Sequence, residues 1–479
     1  MAGGGVPTMA PAIAGGYLTG RKLIYPVSLI TSLFFLWGFS YGLLDVLNSH
    51  FQKTLGITKL ESTGLQVMYF GGGYLLYSPV AAEVMKRKGY KITILMGLSL
   101  YSLGAVMFWP TAHFASPQKA SASFGGFCAC TLVIACGLAT LETAANSYAV
   151  VIGPPTSASA RLQFCQSWNG VASFIGPLIA SKFFFSDGNQ NNLTNVQFVY
   201  LAVACAGVAV AVCFVFSKLP EVAESKVSSG VDDIESVDAH GHVVGDGPIY
   251  KQYNMIFAFI AQWCYVGAQV TIASFFINYL IENAPYTSAD ASRMLSYALI
   301  TFTVARFAAT ALAILLESDF ILTVYAVFAI ALNAYVCAGH GKPAAGVLIA
   351  LFFFEAPMYP TIFTLGTANL GRHTRRGAGI LVMGVSGGAV FPPIQGAIAD
   401  KAGTRISYVV PLVGFIVVLA YGASHWARNG FRIVRVKDTT ARNGSIVSVS
   451  LGGAIEKRMH EDEEGVEKSE VVAVSAIRQ

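Results

Sequence analysis

Twelve separate runs of about 20 predominantly apolar residues fill most of this chain, and that pattern leaves few folds open to it. A hydrocarbon layer roughly 30 Å thick needs about 20 residues of helix per crossing. The runs fall at 26–49, 62–85, 91–111, 123–151, 159–183, 196–217, 253–282, 291–316, 320–338, 344–368, 377–399 and 407–427. They are continuous rather than short and alternating, so each is expected as a helix, which satisfies its own backbone, and not as a barrel strand. Hydrophobic residues make up 54% of the chain and charged residues 12%, outside the range of soluble domains. The expected fold class is an all-α membrane protein with twelve transmembrane helices.

Lys and Arg favour cytoplasmic loops. With both termini cytosolic, the inner segments hold Arg21, Lys22, Lys86, Arg87, Lys88, Lys91, Arg161, Arg372, Arg375, Arg376, Arg428, Arg432 and Arg435, and the outer loops are poorer in bases. The turn Glu317-Ser318-Asp319 lies inside without a base, but acids weigh little in this rule. Asn192-Leu193-Thr194, an N-glycosylation sequon, falls in an outer loop under the same topology, which makes Asn192 a glycosylation candidate. The start of the chain has no charged segment followed by a short apolar stretch and cleavage site, so no signal peptide is expected. All eight cysteines fall in or beside the spans; Cys128, Cys130 and Cys136 suit helix packing better than a zinc site.

A polar, Gly- and Ser-containing segment divides the spans six and six. The expected organisation is a disordered tail at 1–25, a six-helix half at 26–217, a cytosolic linker at 218–252, a second half at 253–428 and a disordered tail at 429–479. The halves echo each other. Arg161 precedes Pro177 by the same separation as Arg376 precedes Pro392, and Leu141-Glu142-Thr143 answers Phe354-Glu355-Ala356. Two echoes at nearly one offset indicate a duplicated six-helix unit, the major facilitator architecture, whose substrate site lies between the halves near the midplane.

An ionised side chain at the bilayer centre costs about 2.5 to 3.5 kcal/mol even on the lenient insertion scale. Asp45 in span one, Glu142 in span four, Arg306 in span eight and Glu355 in span ten are the charges that need a partner or a purpose. A carboxylic acid in an occluded cavity can take a proton on one side and release it on the other, whereas the histidines lie in loops, tails or span ends. Arg306 suits a structural counter-charge better than a ligand for substrate. Glu355 stands beside Pro357 and Pro360, where a broken helix could simply wet it.

A neutral polyhydroxylated solute calls for amides or carboxylates beside aromatic platforms. Trp37, Asn146, Gln166, Asn169, Gln262, Tyr265, Gln269, Asn278 and Tyr359, with Glu142, form such a set in spans one, four, five, seven and ten. Taken singly, each is more often an interhelical hydrogen bond. Gly71-Gly72-Gly73 lacks the strand and the Lys-Ser/Thr of a phosphate loop, and Lys86 to Lys91 is a basic interhelical turn, not a nucleic-acid patch. No nucleophile triad or metal cluster can be assembled, so no enzyme is expected.

In Ser32-Leu33-Phe34-Phe35-Leu36-Trp37 with Asp45 downstream, the chain resembles the fucose:proton symporter family of L-fucose permeases. The likeness continues through Leu141-Glu142-Thr143-Ala144-Ala145-Asn146, Arg161-Leu162 with Gln166, Ala261 to Gln269, Tyr359-Pro360-Thr361-Ile362-Phe363 and Asn369-Leu370-Gly371. The resemblance implies proton-driven hexose uptake, with Asp45 as a coupling acid, Glu142 linking sugar recognition to protonation, and Gln166 touching the sugar. The chain departs from the family in Tyr41-Gly42-Leu43-Leu44, where the family carries asparagines, and in Glu355. The long linker, tails and sequon point to a eukaryotic, fungal member.

The expectation is a monomeric plasma-membrane symporter of L-fucose, galactose, glucose or a related hexose. It uses protons and no cofactor, and its partners are the sugar and the lipid bilayer, without nucleic acid. A driving force of about 2.3 kcal/mol per proton per 100 mV, plus about 1.4 per pH unit, supports a gradient of roughly a few hundred-fold. Two alternatives stay open from sequence: an uncoupled sugar facilitator, and a membrane receptor that binds sugar without moving it.

Overall fold

The computed structural model describes residues 18–55, 64–115, 120–184, 194–220 and 248–435; for residues 41, 43–55, 177–184, 194–195, 288–289 and 372 it describes the backbone alone. Most of the expected tails and linker, and Asn192, lie outside the described residues. Ten described stretches are long and apolar enough to cross a membrane. One of them, Gly64–His113, runs 50 residues and bends at Gly89, whose φ of 83° is a conformation that a side chain would strain. Counting it as two and adding Ala158–Phe184 gives twelve crossings. They are α1 (Arg21–Leu55), α2 (64–88), α3 (90–113), α4 (Ala120–Val151), α5 (Ala158–Phe184), α6 (Thr194–Phe216), α7 (Tyr253–Asn283), α8 (Ser288–Leu315), α9 (Ser318–Ala338), α10 (Gly341–Thr367), α11 (Thr374–Ala402) and α12 (Thr404–Arg428).

Lipid sets the outer surface. Val208, Val212, Val215 and Phe216 of α6, and Val409, Val413 and Ile416 of α12, stand exposed at helical spacing, an arrangement stable only against hydrocarbon. Inside, small residues let backbones approach: a Cβ on Gly73 would sit 2.8 Å from the carbonyl carbon of Ala135, so α2 and α4 meet there only because residue 73 is glycine. Buried tyrosines find partners across helices, as in Tyr101 with Ser40 at 2.6 Å and Tyr90 with Ser147 at 3.0 Å.

Three helices are irregular where they reach the centre. α2 has a π-helical stretch at Val67–Leu75 around its three glycines. α11 passes through a tight 3₁₀ stretch at Gly384–Ala389. α10 breaks after Glu355 and resumes at Met358, because Pro357 and Pro360 lack the N–H groups that would continue it.

Side chains of other helices bond to the carbonyls around the break in α10. Tyr265 Oη donates to Glu355 O at 2.8 Å, Arg306 Nε to Ala356 O at 3.4 Å, and Gln163 Nε2 to Pro357 O at 2.8 Å. Glu355 itself is buried in this conformation, at the wall of the central cavity and not in contact with solvent.

One end of the bundle carries Arg21, the bend at Gly89 and the end of α12 at Arg428, and is rich in bases. At this basic face the two halves are tied together. Arg376 reaches Glu83 at 2.8 Å, Arg87 holds the other oxygen of Glu83 at 2.7 Å, and Arg375 donates to Met85 O at 3.0 Å with its guanidinium 4.8 Å from the Tyr90 ring. Arg161 does a local task there, donating to the carbonyls of Ala149, Val150, Gly153 and Pro154 and so capping the end of α4. Its sequence echo, Arg376, instead spans the halves.

Candidate functional site

Between the halves lies a cavity of about 850 Å³, its open mouth included. The described lining comes from α1 (Trp37), α2 (Tyr69, Phe70, Tyr74), α5 (Asn169, Gly170, Ser173), α7 (Val266, Gln269, Val270, Ala273), α8 (Leu299, Phe302, Thr303, Arg306), α10 (Phe352, Glu355, Tyr359) and α11 (Val385). Most of these residues sit in the middle of their helices or in the portions away from the basic face, and Arg306, Tyr359 and Val385 lie nearest to it. The ties at Glu83, Arg375 and Arg376 therefore close the cavity's basic end.

At the floor, one hydrogen-bonded chain crosses from half to half. Tyr359 donates to Glu142 Oε1, and Asn146 Nδ2 donates to Tyr359 Oη at 3.1 Å and approaches Glu142 Oε1 at 3.5 Å. Gln166 Nε2 reaches Asn146 Oδ1 at 3.4 Å. Arg306 Nη1 then donates to Gln166 O at 2.7 Å and Asn169 Oδ1 at 3.0 Å, and Asn169 Nδ2 donates back to Phe34 O at 3.3 Å. The acid of the first half and the base of the second are thus joined through amides rather than directly. No ion pair links Arg306 to Glu142 or Glu355 among the described residues.

Above this floor the cavity is aromatic. Trp37 stacks at a tilt against Tyr359, centroids 6.5 Å apart, and against Phe34 at 6.3 Å. Rings beside amide and carboxyl groups can hold the apolar face of a small polar solute while reading its hydroxyls.

The sequence-derived set separates into groups. Trp37, Asn169, Gln269, Tyr359, Arg306 and Glu355 line the cavity, and Glu142, Asn146 and Gln166 lie buried in the network joined to it. Tyr265 is buried behind it, holding α10. Gln262 is wholly buried outside the lining, and neither atom of its side-chain amide has a hydrogen-bond partner. Asn278 is exposed and outside the lining: it is nine residues, two and a half turns, beyond Gln269, which turns it to the opposite face of α7. Asp45 lies on the backbone of α1, and its side chain lies outside the described residues.

Tyr69, Phe70 and Tyr74 did not stand out as site residues in the sequence. The only signal was aromatic residues flanking a glycine triplet, and the π-helical turn there departs from the 3.6-residue period that assigns faces. Among the described residues, no group of three or more His, Cys, Asp and Glu gathers as a metal site would require.

Residues 29–392 match the family described as the Major Facilitator Superfamily. The chain is 30% identical over 404 residues to a glucose/galactose transporter of Brucella abortus biovar 1 (strain 9-941), covering 83% of this chain and 93% of that protein. It is 29% identical over 422 residues to the L-fucose-proton symporter of Escherichia coli (strain K12), covering 84% and 93%. The crystal structure of the transporter FucP in the outward conformation superposes with a TM-score of 0.72 at 28% identity, over 84% of this chain and 99% of that one.

Proposed function

The chain belongs to the Major Facilitator Superfamily, and we propose that it carries a hexose, L-fucose or a sugar such as galactose or glucose, across the membrane together with protons. The observation that carries this reading is the Glu142–Tyr359–Asn146–Gln166–Arg306 chain beneath an aromatic cavity. It joins a titratable acid, two amides buried beneath the cavity and both halves of the molecule in one network.

Protonation of Glu142 changes what the network can do. As a carboxylate it only accepts, and it takes the Tyr359 hydrogen; protonated, it becomes a donor as well, and Tyr359 and Asn146 must reorient. The ionised acid also attracts Arg306 of the other half through the intervening amides, and a proton removes that attraction. A proton arriving with sugar therefore loosens the tie between halves at the floor, which lets the basic-face seam part. Asp45 is a second coupling acid in this account.

The basic face is cytosolic by the positive-inside rule, so the seam made by Arg375, Arg376 and Glu83 bars the cavity from the cytosol in this structure. Both termini then lie in the cytosol, the plasma membrane is the site of action, and the monomer is the working unit. Protons are the only coupling species, and no cofactor or nucleic acid is involved. The test is substrate-linked alkalinisation of the medium outside cells or vesicles. Uptake of a hexose with a coincident pH rise supports symport, and uptake without one identifies an uncoupled facilitator.

A further inference from the structure

The network at the floor leaves one acid unused. Glu355 is the last residue of the Gly341–Glu355 segment of α10, is fully buried, and lines the cavity. Neither of its carboxyl oxygens has a hydrogen-bond partner. Arg306 lines the same cavity, but its Nη1 is taken by Gln166 and Asn169 and its Nε by the carbonyl of Ala356. Arg306 is near enough to attract Glu355 but makes no direct ion pair with it, and a carboxyl at the end of a helical segment gains nothing from the helix dipole, so neither a contact pair nor a cap holds the acid at this place. Its position in the second half echoes that of Glu142 in the first.

We propose that Glu355 is a specificity-determining residue that reads two hydroxyls on neighbouring ring carbons of the sugar; this rests on the sugar-transport reading above. The two oxygens of a carboxylate match the spacing of a vicinal diol, and because both are shielded in this structure, a turn of the Glu355 side chain into the cavity accompanies sugar binding. Ionised, the group accepts both hydroxyl hydrogens; protonated, it accepts one and donates one, so either state holds the pair. Phe352 and Tyr359, one turn to either side on α10, and Phe302 on α8 line the same cavity and present apolar surface for the ring's C–H face. Through Glu355 the second half grips the sugar directly, while Trp37 and Asn169 hold it from the first, so that bound sugar bridges the halves.

The test uses the full chain in proteoliposomes. The tracer is whichever of D-galactose, D-glucose and L-fucose the wild type takes up, with each of its monodeoxy analogues as competitor. In wild type, two adjacent deoxy positions should lose roughly 10- to 100-fold in competing affinity, the range for a hydrogen bond to a charged group. Glu355→Leu should flatten the loss at those two positions and leave the others as they were. Glu355→Gln, which keeps one acceptor and one donor, should retain part of it and guards against a packing defect in the leucine variant.

If both variants keep the wild-type pattern of deoxy losses while uptake falls uniformly, the assignment is overturned. It is also overturned if Glu355→Gln abolishes accumulation but leaves exchange and deoxy discrimination unchanged, which would make the residue a proton carrier. A wild type that takes up none of the three sugars removes the sugar reading itself, and this assignment with it.

Discussion

Removing Arg375 should open the basic-face seam far more than removing Arg376, although Arg376 makes the visible ion pair. Glu83 and Arg376 are 34% and 40% exposed, so their pair contributes about 0.2 to 1 kcal/mol, and Arg376→Leu should raise the population open to the basic face by roughly 1.5- to 5-fold. Arg375 is buried, donates to a carbonyl of the opposite half and lies over the Tyr90 ring. A charged hydrogen bond of about 1.5 to 3 kcal/mol, with a desolvated cation–π contact, makes about 2 to 4 kcal/mol, or roughly 30- to several-hundred-fold for Arg375→Leu.

The reporter is Ser78→Cys, at a site on α2 that is wholly buried against Gly379 of α11, in a background lacking the eight native cysteines. Its labelling rate by an impermeant maleimide added at the basic face measures the open population. Equal rates in the two arginine variants, or a faster rate in Arg376→Leu, would refute the assignment of the seal to the buried arginine.

Arg306→Lys keeps the charge but not the reach of the guanidinium to Gln166, Asn169 and Ala356. Half-saturation for sugar should rise by about tenfold with the accumulation ratio retained, as initial-rate uptake would show; an unchanged affinity would mean that the amides need no guanidinium to hold them. Gly73→Val drives a side chain into the Ala135 backbone of α4 and should destabilise the protein by about 1 to 3 kcal/mol, read as earlier thermal exposure of the buried cysteines. An unaltered melting profile would show that α2 and α4 can part without loss.

The twelve crossings were legible because hydrocarbon requires continuous apolar runs and gives the chain no other way to satisfy its backbone. The break in α10 was legible from Pro357 and Pro360, but not its outcome: sequence does not say that Tyr265, Arg306 and Gln163 would converge on the carbonyls around it. Mid-span charge pointed to Glu142 and Arg306, since desolvation makes such residues rare without a partner or a role.

Their connection through Asn146 and Gln166 depends on how the halves meet, which spacing does not encode. Gln262 and Gln269 are seven residues apart and share a helix face, yet only Gln269 lines the cavity, because depth along α7 decides. Asn278 shows the converse: its turn count from Gln269 already placed it on another face, and its polarity alone had grouped it with the site.

The central claim is that proton movement and sugar movement share the Glu142 network. Proteoliposomes with an imposed inward proton gradient and a panel of labelled hexoses, comparing wild type with Glu142→Gln, test it most directly. The account predicts that wild type accumulates at least one hexose above equilibrium, while Glu142→Gln, still able to accept from Tyr359 but unable to carry a proton, loses accumulation and keeps exchange. Undiminished accumulation by Glu142→Gln would contradict the account.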